Sequence, residues 1–232
     1  MKILNLYCGI GGNRKLWGDS HEITAVEYKP EIAKIYQDFF PNDKVVVGDA
    51  HQYLLDHYHE FDFIWSSPPC QSHTSMSVAN SLSPYEEDQE RVKAQIENGG
   101  GIKPRYPKME LYQEIIFLTH FFKGKWCIEN VIGYYEPLIK PQIMAKHYFW
   151  TNFLVTTFIG EGRGMGTDES VGKLEKLKGF DLSNCSGVDK RLLLRNCVEP
   201  EVAKHILDMA INDHQTSLFT TPKLSTPPTV QT

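Results

Sequence analysis

Cys70 follows two prolines in Ser66-Ser67-Pro68-Pro69-Cys70-Gln71, directly after the apolar run Phe61 to Ser66 and before a long stretch rich in Ser, Asn and charge. Proline fixes its own backbone angle and restricts its neighbour, so this thiol has a set direction. The other cysteines, Cys8, Cys127, Cys185 and Cys197, read as small buried hydrophobes. A stiffly held thiol at a strand end, beside a loop, is how a nucleophile is presented. A second apolar run, Trp126 to Glu129, ends in an acid and continues as Asn130-Val131. A thiol and a carboxylic acid at neighbouring strand ends suit covalent attack on an electron-poor ring that is protonated as it is attacked.

Three further strand ends carry candidate ligand contacts. Tyr7-Cys8-Gly9-Ile10-Gly11-Gly12 makes a glycine-rich turn that allows close backbone approach, or simply a tight turn. It is not a GxGxxG and lacks the lysine of a phosphate loop, so a nucleotide polyphosphate is not its natural guest. Glu27 ends Ile23 to Glu27, where a carboxylate can accept from ribose hydroxyls, and Tyr28 offers a ring for an adenine. Asp49 follows Val45-Val46-Val47-Gly48, where it can accept from an exocyclic amine. Each carboxylate also fits a helix cap. Together they describe a site for an adenosine-bearing cofactor without a phosphate tail.

The elements that position these residues alternate at short range. Ile3 to Tyr7, Ile23 to Glu27, Val45 to Val47 and Phe61 to Ser66 are strands. Between them fall a short helix through Trp17, a helix from Pro30 to about Asp38 and a helix through Tyr58. That alternation predicts an open, largely parallel sheet with right-handed crossovers, whose ligands bind beyond the carboxyl ends of the strands. Ser72 to Pro107 breaks the rhythm and is expected to be a lid or binding loop. From Met109 the helical period returns with Leu111, Ile115, Leu118 and Phe122 on one face. Trp126 to Glu129 and Tyr148 to Val155 are further strands, and Ala203, Ile206, Leu207 and Ala210 mark a last amphipathic helix. Thr156 to Asp189 has weak periodicity, and the Thr- and Pro-rich end from 213 to 232 is expected to be a disordered tail.

The 232 residues are 41% hydrophobic and 23% charged, a composition typical of a globular protein able to bury a core without disulfide or metal. Five cysteines with no CxxC pair argue against a disulfide framework or zinc ribbon and for a reducing compartment. The opening residues lack the apolar run of a signal peptide and no stretch approaches the ~20 apolar residues of a membrane span, so a cytoplasmic location is expected. Net charge is −5 and the pI about 6.0, which excludes coating nucleic acid by bulk electrostatics. DNA binding would need a local basic face. Its candidates are Lys93, Lys103, Arg105, Lys108, Lys123, Lys125, Lys173, Lys176, Lys178, Lys190, Arg191 and Arg195, each of which also fits a solvated surface position.

In order along the chain, these motifs resemble those of the DNA cytosine-C5 methyltransferases. Asn5-Leu6-Tyr7-Cys8-Gly9-Ile10-Gly11-Gly12 is similar to the family's first motif, Glu27 to the second and Gly48-Asp49-Ala50 to the third. Pro69-Cys70-Gln71 and Glu129-Asn130-Val131 resemble its catalytic motifs. His147-Tyr148-Phe149-Trp150-Thr151-Asn152 is similar to the eighth motif, and Arg195-Asn196-Cys197-Val198-Glu199-Pro200 to the closing one. The resemblance implies a Rossmann-like class I methyltransferase fold with a small target-recognition insertion. It divides the chain into a catalytic core at 1–155 with a lid at 72–108, a reduced recognition segment at 156–189, a returning helix at 190–212 and the tail.

It also implies S-adenosyl-L-methionine as cofactor, held by Tyr7, Gly9, Ile10, Gly11, Gly12, Glu27, Tyr28, Asp49, Ala50, Pro69, Asn196 and Val198. Double-stranded DNA is the implied substrate, with no metal and no membrane partner, acted on by a monomer or a homodimer. The target cytosine is extruded from the duplex. Cys70 adds to C6 while Glu129 shares a proton with N3, and Pro69, Gln71, Asn130, Lys146 and His147 complete the catalytic set. An unperturbed thiol titrates near ~8.5, so the site is expected to favour the thiolate or assist its formation.

The chain departs from the family pattern in places. Asn5 and Tyr7 stand where Asp and Phe are usual, and Ala145 and His147 where arginines are. Only about 35 residues replace the usual recognition domain, so sequence readout is expected to be short or relaxed. The activity implied is that of EC 2.1.1.37 in a restriction-modification or orphan phage setting. The same chemistry on structured RNA, or a catalytically silent DNA- or partner-binding homologue, is the alternative.

Overall fold

The computed structural model describes residues 1–74, 107–158 and 170–212. Most of the expected lid with Lys93, Lys103 and Arg105, and all of the expected tail, lie outside the described residues. A seven-stranded mixed sheet forms the centre, in the order β3-β2-β1-β4-β5-β7-β6. Its strands are β1 (Lys2–Leu6), β2 (Glu22–Glu27), β3 (Lys44–Val47), β4 (Phe63–Ser66), β5 (Lys125–Val131), β6 (Gln142–Met144) and β7 (His147–Thr151). The helices are α1 (Pro30–Phe39), α2 (Ala50–His57), α3 (Glu110–Phe121), α4 (Val171–Lys178), α5 (Lys190–Arg195) and α6 (Pro200–Ile211). β1 to β5 are parallel, and β7 is antiparallel to both β5 and β6. This is the expected Rossmann-like class I arrangement.

Period-2 alternation divides the sheet residues between two faces. Ile3, Phe63, Trp65 and Cys127 pack with Val202, Ala203, Ile206, Leu207 and Ala210 of α6. Leu4, Leu6, Ile64 and Ile128 pack with Leu54 of α2 and with Leu111, Ile115 and Leu118 of α3. Strands covered on both faces read as continuous apolar runs, which is why β1 and β4 were legible. The register pairs Leu6 with both Val26 and Ser66, and Ser66 with Ile128, so the strand ends bearing Tyr7, Glu27, Ser67 and Glu129 lie along one edge. β1 has β2 on one side and β4 on the other, so the chain reverses direction across the sheet there. The crevice opens at this switch point.

Three local expectations change. The strand expected at Tyr148 to Val155 is His147–Thr151, because Asn152 ends it: its Oδ1 accepts from the Trp126 amide at 3.0 Å and its Nδ2 donates to the Gly124 carbonyl at 2.8 Å. β6 was not anticipated, since three residues are too few for a periodic signal. The described part of Thr156 to Asp189, weakly periodic in sequence, contains the helix α4 and contributes to the core. Leu174, Phe180 and Leu182 are buried with Ile10, Ile35, Leu193 and Leu194. Burying three such side chains contributes about 5 kcal/mol, comparable to the net stability of a domain, so this piece does not swing free. Among the described residues, no helix is long and apolar enough to cross a membrane.

Candidate functional site

A cavity of about 650 Å³ opens along the carboxyl edge of the sheet. Tyr7, Gly9, Ile10, Gly12, Glu27, Tyr28, Asp49, Ala50, Pro69, Asn196 and Val198 line it. Cys70, Gln71, Glu129, Asn130 and His147 line the same cavity. Of the residues singled out from the sequence, Gly11 and Lys146 stand outside its wall. Gly11, at φ +87°, faces the other way, where a Cβ would meet Phe40 at 2.3 Å and Tyr36 at 2.9 Å. Its lack of a side chain serves packing against α1. Gly12 serves a close approach instead: a Cβ there would lie 2.7 Å from Cys197, so the returning closing motif can seat against the first loop. Lys146 is exposed at the tip of the β6–β7 hairpin.

At the end formed by β1, β2 and β3, carboxylates are held by backbone amides. Glu27 accepts from the Gly9 amide at 3.1 Å and from the Lys29 amide at 3.0 Å, one on each oxygen. Asp49 caps α2, accepting from the Gln52 amide at 3.0 Å, and still lines the cavity. The two readings of Asp49, cap and ligand contact, are therefore compatible. Tyr28 is 73% exposed and presents its ring beside them. Below the loop, Asn5 and Asn13 bond each other reciprocally, Nδ2 of Asn13 donating to Asn5 at 2.7 Å. The buried Arg14 grips Asp43 through Nε at 2.8 Å and Nη2 at 3.1 Å. Asn5, where the family has Asp, thus anchors the loop as a neutral pair.

At the other end, the groups that could react are enclosed. Cys70 is half-buried, whereas Cys8 and Cys197, also in the wall, are 5% and 7% exposed. Burial pushes the Cys197 thiol up to about 12. Burial, and then the negative charge of Glu129, push the Cys70 thiol up as well. Both effects disfavour a resting thiolate at Cys70, so its ionisation on attack needs assistance. Burial raises the Glu129 carboxyl too, against the lowering pull of His147 and of a hydrogen bond from Ser67. A protonated Glu129 no longer repels a thiolate at Cys70. The charge states of Cys70 and Glu129 are thus linked, protonation of one easing ionisation of the other.

Asn130, expected in the catalytic set, donates to the Pro68 carbonyl at 3.0 Å, tying β5 to the segment that carries Cys70. Other supporting residues carry no such motif. The Cys70 carbonyl accepts from the amides of His73 and Thr74, and the buried His73 is joined to the Tyr135 hydroxyl at 2.6 Å. Glu114, fully buried on α3, accepts from Tyr7 Oη at 2.6 Å and Ser66 Oγ at 2.6 Å and meets His51 Nδ1 at 3.1 Å. That contact raises the His51 pKa. Glu114 also anchors Tyr7, whose φ is +54°. An acid three positions after Leu111 and four before Leu118 was the available signal, since it falls on the apolar face.

Lys178, a candidate for the basic face by its charge, is instead 1% exposed and donates to the Cys197 carbonyl at 2.7 Å and to the Glu199 carboxylate. Its place four residues after the buried Leu174 was the clue. The charge of Glu199 is thereby compensated beside the cavity wall. No cluster of three metal-ligating side chains exists among the described residues.

Residues 1–98 match the family model described as C-5 cytosine-specific DNA methylase. No curated protein matches the chain. Among solved structures, a mutant of Spodoptera frugiperda DNMT2 is 26% identical, with 56% of this chain and 35% of that one covered and a TM-score of 0.35. The Entamoeba histolytica methyltransferase EhMeth is 14% identical, with 56% and 38% covered and a TM-score of 0.34. The chain thus spans little more than a third of the length of these two proteins. The matched segment contains Glu27, Asp49 and Cys70.

Proposed function

We propose that this protein transfers a methyl group from S-adenosyl-L-methionine to C5 of cytosine in double-stranded DNA through a covalent adduct of Cys70. The carrying observation is that one cavity holds Cys70 and Glu129 at one end and Glu27 and Asp49 at the other. The donor set suits the cofactor. Each Glu27 oxygen has one backbone amide and keeps a lone pair for a ribose hydroxyl, and Asp49, Ile10 and Tyr28 can frame an adenine. When bound, the cofactor supplies a methyl group on a positively charged sulfur.

The chain's own residues do the rest. An extruded cytosine enters the open side of the cavity, since C5 and C6 cannot be reached inside the base stack. Glu129 gives a proton to N3 while the Cys70 sulfur bonds to C6, which makes C5 nucleophilic. Asn130 holds the Pro68-Pro69 segment so that the sulfur is aimed. A base, water included, takes the C5 proton, the sulfur–C6 bond breaks, and Cys70 leaves. Leu174, Phe180 and Leu182 of the 156–189 segment are packed into the core and cannot contact bases, in keeping with short or relaxed sequence readout.

The test incubates the protein with methyl-labelled cofactor and duplex DNA, with RNA as competitor, and maps the product by bisulfite sequencing. Label on DNA cytosine C5 is expected. Label only on RNA would change the substrate, and no transfer by folded, cofactor-binding protein would defeat the proposal. Cys70→Ser should lower transfer by on the order of a thousandfold or more while leaving thermal unfolding unchanged. DNA containing 5-fluorocytosine should form a covalent adduct with the native protein only.

A further inference from the structure

Glu129 Oε1 faces His147 Nε2 at 3.7 Å, and the other ring nitrogen, Nδ1, lies 3.1 Å from the Ala145 carbonyl oxygen. The hairpin builds this arrangement. Ala145 and Lys146 form a two-residue turn at φ +46° and +64°, which pairs Met144 with His147. The β5–β7 register sets His147 opposite Val131 and Phe149 opposite Glu129, so His147 and Glu129 are diagonal neighbours on one face of the sheet.

A carbonyl oxygen can only accept, so Nδ1 carries a hydrogen whenever this contact is kept. A neutral His147 then turns a bare lone pair toward a carboxylate oxygen, and two acceptors facing each other gain nothing. One proton between them removes the conflict, either as imidazolium beside carboxylate or as imidazole beside carboxylic acid. We propose that His147 and Glu129 hold one proton in common, and that this is the proton passed to N3 of the target cytosine. The assignment rests on the reading above and deepens it. His147 is a positioning residue that acts through Glu129.

Few other charges face the pair. Cys70 approaches from the β4 end and Cys127 lies buried on β5 itself. Glu199 at the start of α6 and Lys178 of α4 act on Glu129 with opposite sign and are paired with each other. The step balances. The Cys70 thiol releases its proton to solvent as its sulfur bonds to C6, and the pair's proton moves to N3, leaving a neutral adduct; the thiolate freed at the end regains a proton from solvent. When the sulfur–C6 bond breaks, the N3 proton returns to the pair.

The experiment is ¹⁵N NMR of the full chain labelled at its nine histidines, with His147 assigned by its loss in His147→Gln. The expected result is an Nδ1 that carries hydrogen throughout and an Nε2 signal that moves toward that of a nitrogen without hydrogen in Glu129→Gln. An Nε2 signal unaffected by Glu129→Gln, or an Nδ1 without hydrogen, would overturn the proposal. Methyl-transfer pH profiles give a second readout. Two sites hold one proton at least as tightly as one, and a fixed guanidinium favours the carboxylate. The limb reporting this proton should therefore move to lower pH in both His147→Gln and His147→Arg. A slower rate with an unmoved profile would reduce His147 to a structural role. Absence of any transfer by the native protein would defeat the methyltransferase reading, while the NMR titration would still report on the shared proton.

Discussion

The carboxylates around the cavity fall into two groups. Glu27 and Asp49, at the β2 and β3 ends, are satisfied by backbone amides and keep contact with solvent. Glu114, Glu129 and Glu199 are satisfied chiefly by side chains: Tyr7 and Ser66, His147 and Ser67, and Lys178 respectively. An amide partner comes with the local turn or cap and survives most substitutions nearby. A side-chain partner can be deleted, and a buried carboxylate then loses its compensation. The first end is thus robust and polar, suited to holding a ligand. The second is sensitive and strongly coupled, suited to moving a proton.

Substitutions can sharpen that contrast. The largest stability effect is expected from Lys178→Met, which leaves Glu199 largely buried without its ammonium partner. A loss of about 3 kcal/mol should appear in urea denaturation, and Lys178→Met with Glu199→Leu should recover most of it. Tyr7→Phe installs the residue usual in the family and removes one hydrogen bond to the Glu114 carboxylate. About 1.5 kcal/mol of stability should be lost by the same measurement. Asp49→Ala removes only a cap on the amide-satisfied side, and about 1 kcal/mol is expected, with weaker cofactor binding by calorimetry. If Asp49→Ala cost as much as Lys178→Met, the division between the two groups would not hold.

Much of the fold was legible because its signals are local. Pro30 and Pro200 open α1 and α6, Asp49 caps α2, and apolar runs covered on both faces announce β1 and β4. The cavity residues were found for the same reason, since a parallel sheet puts its ligand contacts just past strand ends. That Gly11 packs on α1 rather than lining the cavity is not legible, because a glycine-rich turn does not say which glycine meets a ligand and which meets a helix. Lys178 was misjudged because charge type outweighed its place on the face of Leu174.

By itself, then, the sequence determined the strand–helix alternation, the strand ends and the residue types presented there, because propensity, period and turn chemistry act over a few neighbouring positions. Tertiary structure alone decided which of those groups are dehydrated and what each one faces. Glu114 meets Tyr7 across 107 positions, and Glu129 meets His147 only through the register of an antiparallel pair. Protonation follows burial and partners, and both arise from packing between segments far apart in the chain.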